Sequence, residues 1–428
     1  MFLSRKKISF FRVAAAWLTM LCWGAAFSGA FPLAAKLFKH LPVIPAIMAL
    51  GAAMAVIVLL TLLCGRFYCA ILCPLGIMQD IFRKLTFRKE KQGMNLRKLR
   101  LAVTGVCTGM FAAGTAAGFL IFDPYSNSGR SSQIHLASGI IILLTLMIAT
   151  LWKPRFFCMA LCPAGTLLGM ASTFPVIRLT LNGNCVKCGK CAAICPANAI
   201  DLPKGVIDNE ACLRCLKCLQ SCPLKRSGIS FRFSRKKDLT DISKRKFLVN
   251  SGIFLGAAAI GTLLGKSRLI KLFSTAPKFK ILPPGAGNQQ RFTGKCTGCL
   301  LCAANCPAKI IVPAPGGIGS VSLDISKNPC RFDCNLCGQL CPSRAIIPYP
   351  LAVKQHIRIA MAHILPESCI NCGKCLAACP AGAIRKGKRL KVEQSRCIGC
   401  GACFNVCPVH AIKLEAVDQQ FIIKQEVK

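Results

Sequence analysis

The chain has 428 residues, 31 of them cysteine, and a formal net charge of +41. Its hydrophobic content of 54% is gathered in the first 170 positions and near 247–264, a distribution that excludes an ordinary water-soluble domain and points to membrane spans. The basic residues flank those apolar runs instead of forming a basic module of their own, so nucleic acid is not expected as a partner.

Runs of about 20 apolar residues predict a first span over about 13–35, preceded by Arg5, Lys6, Lys7 and Arg12, and a second over about 43–64. The third is placed at about 101–122 and the fourth at about 135–152. Between the second and third lie Arg83, Lys84, Arg88, Lys89, Lys91, Arg97, Lys98 and Arg100, whereas the loop Asp123–Ile134 holds only Arg130 and one acid. Positive loops stay in the cytoplasm. The N-terminus is therefore expected inside and both hairpins outside, with Lys36 and Lys39 of the first outer turn running against the trend.

A repeat sits within this four-span domain, 1–180. Gly65-Arg-Phe-Tyr-Cys69-Ala-Ile-Leu-Cys73-Pro-Leu-Gly follows the second span, and Pro154-Arg-Phe-Phe-Cys158-Met-Ala-Leu-Cys162-Pro-Ala-Gly follows the fourth. Cysteines four apart are expected on one face of a helical turn. Two such turns bring four thiols together, which suits an iron–sulfur cluster or a metal. A redox thiol pair and simple packing are the alternatives. Cys22, Cys64 and Cys107 stand alone in apolar runs and read as small buried side chains.

The spacing Cys-x2-Cys-x2-Cys-x3-Cys-Pro then recurs at Cys185–Cys195, Cys212–Cys222, Cys296–Cys306, Cys369–Cys379 and Cys397–Cys407. A sixth copy, Cys330, Cys334, Cys337 and Cys341, has one extra residue in its first gap. This run holds a [4Fe–4S] cluster, and in paired runs the fourth cysteine serves the partner cluster. Six clusters follow. Their expected ligands are Cys185, Cys188, Cys191 and Cys222; Cys212, Cys215, Cys218 and Cys195; Cys296, Cys299, Cys302 and Cys341. The other three sets are Cys330, Cys334, Cys337 and Cys306; Cys369, Cys372, Cys375 and Cys407; and Cys397, Cys400, Cys403 and Cys379. Zinc sites lack the Pro-terminated run, and disulfide scaffolds belong to small secreted domains.

The fold class expected is an α-helical membrane domain of four spans plus a fifth anchor, carrying α+β bacterial ferredoxin-like dicluster modules. A cytoplasmic module covers 181–224 and a basic linker 225–246. The segment 247–265 resembles an export signal, with Lys244-Arg245 in place of an arginine pair and no A-x-A-like cleavage site, and reads as the fifth anchor. Residues 266–290 read as a linker, 291–348 as an extracytoplasmic module, and 349–428 as a second one with a mobile tail after Leu414.

Of five histidines, His40 and His135 fall at the outer ends of the hairpins beside Asp123 and Tyr125. These four are weak candidates for a quinol site, where ionisable groups release protons outward; ordinary interfacial side chains are the simpler reading. His410 follows Cys407-Pro408 and is expected to be exposed. Walker, Rossmann and triad-like motifs are absent, as is the Cys-x2-Cys-His of covalent haem.

The four spans, both Cys-x3-Cys-Pro motifs and the first cluster pair resemble the NapH/MauN-type membrane quinol dehydrogenase subunit. The export-like segment and the four later runs resemble its NapG/MauM-type partner, so the chain resembles a fusion of the two over about 1–230 and 240–415. The resemblance implies quinol oxidation in the bacterial inner membrane and delivery of electrons to an extracytoplasmic reductase or cytochrome. Relatives with these motifs also include assembly and regulatory proteins for respiratory metalloenzymes. A reversed path, from a cytoplasmic electron carrier outward or to quinone, is the third reading.

Overall fold

The structure, a computed structural model, describes residues 5–40, 42–45, 52–86, 92–132, 137–173, 175–224, 228–233, 244–267, 281–313 and 320–420. His135 and the stretch 234–243 of the basic linker lie outside the described residues.

The N-terminal domain is helical. Its elements are α1 (Arg5–Ser28), α2 (Pro32–Phe38), α3 (Ala52–Cys64), α4 (Tyr68–Ile71), α5 (Pro74–Leu85) and α6 (Arg97–Ala112). They continue as α7 (Ala117–Phe122), α8 (Pro124–Ser132), α9 (Ala137–Trp152), α10 (Phe156–Ala160) and α11 (Pro163–Ala171). A later helix, α12 (Lys244–Lys266), packs along α6. Among the described residues two stretches, Phe11–Ser28 and Leu248–Lys266, are long and apolar enough to cross a membrane.

The third apolar stretch is not one helix, which corrects the span expected over 101–122. The chain turns at Ala113–Ala116, with Gly114 at φ +86°. The short α7 then returns alongside α6, so that Gly118 lies against Cys107 and the rings of Phe119 and Phe111 stand 6.1 Å apart. Asp123 caps α8 by accepting hydrogen bonds from the Ser126 backbone N–H (2.8 Å) and hydroxyl (2.7 Å). Residues 123–130 are all buried. Polar backbone and side chains at such a place are tolerated because they are covered by protein. The first apolar stretch is likewise cut, at Gly29 (φ +74°), between α1 and α2.

The Cys-x3-Cys pairs also depart from expectation. The first cysteine of each pair lies in a one-turn helix, α4 or α10, but the second is extended: Cys73 has ψ 111° and Cys162 ψ 112°. Pro74 and Pro163 cause this, because proline pushes the residue before it out of the α region and opens the next helix at its first turn. Each pair is thus a turn between two helices, not one helical face.

Among the described residues, five two-stranded antiparallel sheets build the modules. In the first, β1 (Ile177–Leu181) pairs with β4 (Ile229–Phe233), and β2 (Ile200–Asp201) with β3 (Val206–Ile207). The second has β5 (Ile311–Pro313) against β6 (Val321–Leu323). In the third, β7 (Ala360–Ile364) pairs with β10 (Ile412–Ala416), and β8 (Ile384–Lys386) with β9 (Leu390–Val392). Residues 281–290, expected as linker, belong to the second module: Leu282 and Ala286 are buried in its core. The tail is held through its described part. Gln420 donates to the Leu282 and Pro283 carbonyls (3.0 and 2.9 Å) and accepts from the Gly285 N–H (2.9 Å).

The first and second modules dock at opposite ends of α1. Near its start, Arg12 donates to the Cys215 carbonyl (2.6 Å). Near its end, the Ala26 carbonyl accepts from Asn305 (2.7 Å), and on α2's C-terminal side Lys39 donates to the Gln339 carbonyl (2.7 Å).

Small residues let α6 and α12 approach so closely that their backbones touch. A Cβ on Gly109 would meet the Ala258 carbonyl, and one on Gly261 the Val106 carbonyl. Gly109→Leu or Gly261→Leu is therefore expected to lower stability by about 1–3 kcal/mol or more. Gly252→Leu, where nothing lies within 4 Å, should be silent. Thermal unfolding in detergent measures the difference.

Candidate iron–sulfur sites

The cluster loops share a backbone device. In five runs the residues on either side of the second cysteine are left-handed: Lys187 and Gly189, Arg214 and Leu216, Gly298 and Leu300, Asn371 and Gly373, Gly399 and Gly401. Non-glycine residues rarely adopt this conformation. Its recurrence here winds the loop so that successive N–H groups face inward, the arrangement that stabilises a bound anion. After the fourth cysteine of a run, backbone N–H groups point at sulfur. Ala199 donates to Cys195 (3.4 Å), Ile346 to Cys341 (3.4 Å), Ala383 to Cys379 (3.3 Å) and Ala411 to Cys407 (3.2 Å). Such bonds favour the thiolate.

Four small, mainly apolar cavities each bring together four cysteines. One is lined by Cys195, Cys212, Cys215 and Cys218, and another by Cys296, Cys299, Cys302 and Cys341. The third gathers Cys306, Cys330, Cys334 and Cys337, and the fourth Cys379, Cys397, Cys400 and Cys403. Each holds three cysteines of one run and the fourth of its partner. Cys191 has Cys185 and Cys222 as electrostatic neighbours, and Cys375 has Cys369 and Cys372. These donor sets fit [4Fe–4S] clusters, which carry single electrons. Burial pushes the Cys296 and Cys330 thiols up to about 11, so iron binding there displaces protons.

The sets follow one another in space. Cys188 and Cys372, in the two end sets, are exposed. The second and third modules join where the Cys330 N–H donates to the Cys400 carbonyl (2.8 Å). The extra residue of the sixth run serves this joint. Its loop lacks the left-handed pair, with Asn335 at φ −131°. Phe332 packs against the Ile398 and Cys400 cluster, and Lys354 donates to the Arg331 carbonyl.

The four thiols of the helical domain, Cys69, Cys73, Cys158 and Cys162, are all buried and are one another's electrostatic neighbours. The two copies of the motif interlock through their arginines. Arg66 of the first lies over Gly165 of the second, 2.8 Å from where a Cβ would stand. Arg155 of the second lies over Gly76 of the first and donates to the Cys69 carbonyl (2.8 Å). These glycines leave the room the guanidinium groups occupy. Arg155 also forms a two-pronged pair with Asp80 (3.2 and 2.8 Å). The Arg66 guanidinium reaches the first module by donating to the Glu210 carbonyl (3.1 Å). Gln79 donates to Cys158 sulfur (3.5 Å), and the Gly165 N–H to Cys162 sulfur (3.2 Å). The arginines were visible in the motif, but nothing in its spacing shows that each crosses to the other copy.

Of the quinol-site candidates, the structure brings Asp123 and Tyr125 together and leaves His40 exposed on its turn. Tyr125 stacks on Phe38 (5.5 Å, 27°), and its electrostatic neighbours include Cys299, Asp123 and Tyr68. Asp123 is engaged as the cap of α8. His410 is exposed and occupies a left-handed position (φ 50°).

Known protein families and relatives match parts of this chain. Residues 184–225 and 362–414 match 4Fe-4S dicluster domain families, and 46–95 and 136–182 each match a 4Fe-4S binding domain family. An uncharacterized protein of Methanocaldococcus jannaschii is 31% identical over 204 residues, covering 44% of this chain and 80% of that protein. The methylamine utilization ferredoxin-type protein MauN of Paracoccus denitrificans is 29% identical over 148 residues, 32% of this chain and 51% of its own length. The ferredoxin-type protein NapH of Escherichia coli is 29% identical over 161 residues, 36% of this chain and 55% of its own. The chain thus spans about half the length of the MauN and NapH relatives it matches. By these matches and by its cysteine sets, the chain belongs to the NapH/MauN-type polyferredoxins, iron–sulfur proteins of electron transport.

Proposed function

We propose that the chain holds six [4Fe–4S] clusters in an inner membrane and carries electrons from the quinol pool to an extracytoplasmic reductase or cytochrome. One observation supports this above the others: modules with cluster-binding loops occupy the two ends of one apolar helix, α1, with the four helical-domain thiols between them. The first module faces the cytoplasm in this reading and the other two face outward. Quinol is apolar and stays in the bilayer, so it approaches the helical domain from the side. Bound clusters supply one-electron chemistry. The chain's own part is to fix the order of the sets, shield them, and aim N–H groups at sulfur.

A second reading reverses the entrance. Cys188 is exposed on the first module, which suits docking of a soluble cytoplasmic electron carrier. An assembly or regulatory role for a respiratory metalloenzyme uses the same sites with a different acceptor.

Anaerobically purified protein should contain about 24 iron atoms in its six ferredoxin sets, four per cluster. Folded protein with iron for two or three clusters overturns the count. Reporters fused after Lys428 and near Arg226 should mark opposite sides of the membrane, the first outside. In proteoliposomes, menaquinol should reduce the clusters of the intact chain. Clusters that stay oxidised under excess menaquinol but accept electrons from a cytoplasmic ferredoxin would select the second reading.

A further inference from the structure

The first and second modules leave a gap between them that the ferredoxin cysteines do not fill. Helix α1 measures it. Arg12 touches the Cys215 loop, Thr19 donates to the Ile71 carbonyl (3.1 Å), and the Ala26 carbonyl accepts from Asn305 in the Cys299 module. Ile71 lies between Cys69 and Cys73. At 1.5 Å per residue, each seven-residue step along α1 is about 10 Å. The four thiols therefore stand midway between the Cys215 and Cys299 sets.

Their surroundings are built for negative charge. Arg66, Arg100 and Arg155 are all fully buried beside them, at 0%, 1% and 1% exposure. Arg155 is matched by Asp80 and Arg97 by Glu210 (2.5 Å), and Glu210 is also the acidic neighbour of Arg100 and Arg66, so one carboxylate faces three guanidinium groups. Arg66 Nε and Arg100 Nε and Nη1 have no hydrogen-bond partner. The electrostatic neighbours of Arg100 include Cys162 and Cys69, and Arg66 Nη2 is 3.9 Å from Cys69 sulfur. Buried positive charge in excess of its acidic partners is costly, so these arginines point to an anion among the thiols. A cluster held by four thiolates is such an anion.

We infer that Cys69, Cys73, Cys158 and Cys162, two from each copy of the motif, ligate one shared iron–sulfur cluster that links the inner and outer modules through the helical domain. Neither copy suffices alone, since each brings a single Cys-x3-Cys pair. Cys69, Cys73, Cys158 and Cys162 would hold the cluster, and when bound it would supply one-electron transfer, balanced by oxidation of a cluster at one end and reduction of a cluster at the other, with no bond made and no proton moved. Toward the outer module the way is lined by two buried tyrosines. Tyr68 has Cys73, Cys69, Cys162 and Asp123 as electrostatic neighbours, and Tyr125 has Cys299 and Tyr68. The inference rests on the electron-transport reading but not on quinol as donor.

The test is iron content and electron paramagnetic resonance of the full chain, purified anaerobically, with Cys64→Ser as control. Cys69→Ser and Cys158→Ser should each remove the iron of one cluster, about two atoms for [2Fe–2S] or four for [4Fe–4S]. The double variant should lose no more than either single one, because the ligands act as one unit. The six ferredoxin signals should persist and so report that the protein is folded. Unchanged iron in both variants overturns the site, and additive loss overturns its being shared. Should neither variant accumulate, the wild-type chain decides: a redox titration that resolves a cluster beyond the six supports the inference, and six alone refutes it. Arg100→Gln should keep that iron and shift the extra signal's potential downward; an unmoved signal refutes the arginine's part. Failure of menaquinol to reduce the protein, with these iron results intact, would remove the quinol donor and leave the shared cluster standing.

Discussion

Length along one helix governs this molecule. Helix α1 has 24 residues and so runs about 36 Å, and the first two modules and the central thiols all take their places along it. Cysteine loops that must exchange electrons have to lie close together. The contacts that bring them close are ordinary ones: carbonyls accepting from Arg12 and Asn305, and a threonine hydroxyl reaching Ile71. None is strong singly. Together they fix where each set stands, which neither the cluster ligands nor the modules' small sheets can do.

What could be read in advance follows from how local each signal is. A ferredoxin run is a fixed spacing set by the cluster itself, so ligand sets can be named from it residue by residue, and for four of the six the structure lines one cavity with three cysteines of a run and the fourth of its partner. Fold class was legible for the modules because their strands are short, alternating and bounded by cysteine loops. Long-range choices were not. Hydropathy joins 101–122 into one span because it averages over Gly114, where the chain reverses. The Cys-x3-Cys pairs were read as helical faces although Pro74 and Pro163 carried the contrary signal. The extra residue before Cys334 was visible as a longer gap, but its role in a joint was not, since Phe332 meets the Cys400 loop of another module.

The interlocked arginines show how a repeated motif becomes asymmetric. Each copy offers an arginine to the glycine of the other, but only the first carries an acid at the seventh helical residue, Asp80; the second has Gly169 there, facing Arg100 and the Glu210 backbone. One side of the pair is therefore neutralised within the helical domain, and the other is turned toward the first module. Duplication supplied the thiols in matching places, and divergence at one position oriented the charge.

The clasp of Gln420 on Leu282, Pro283 and Gly285 bears on how the protein is made. Those three residues open the second module, yet their partner is synthesised more than a hundred positions later. While the ribosome completes the third module, the second therefore lacks its final strap. The first residues of the second module and the strap that holds them can therefore meet only after the third module has been made.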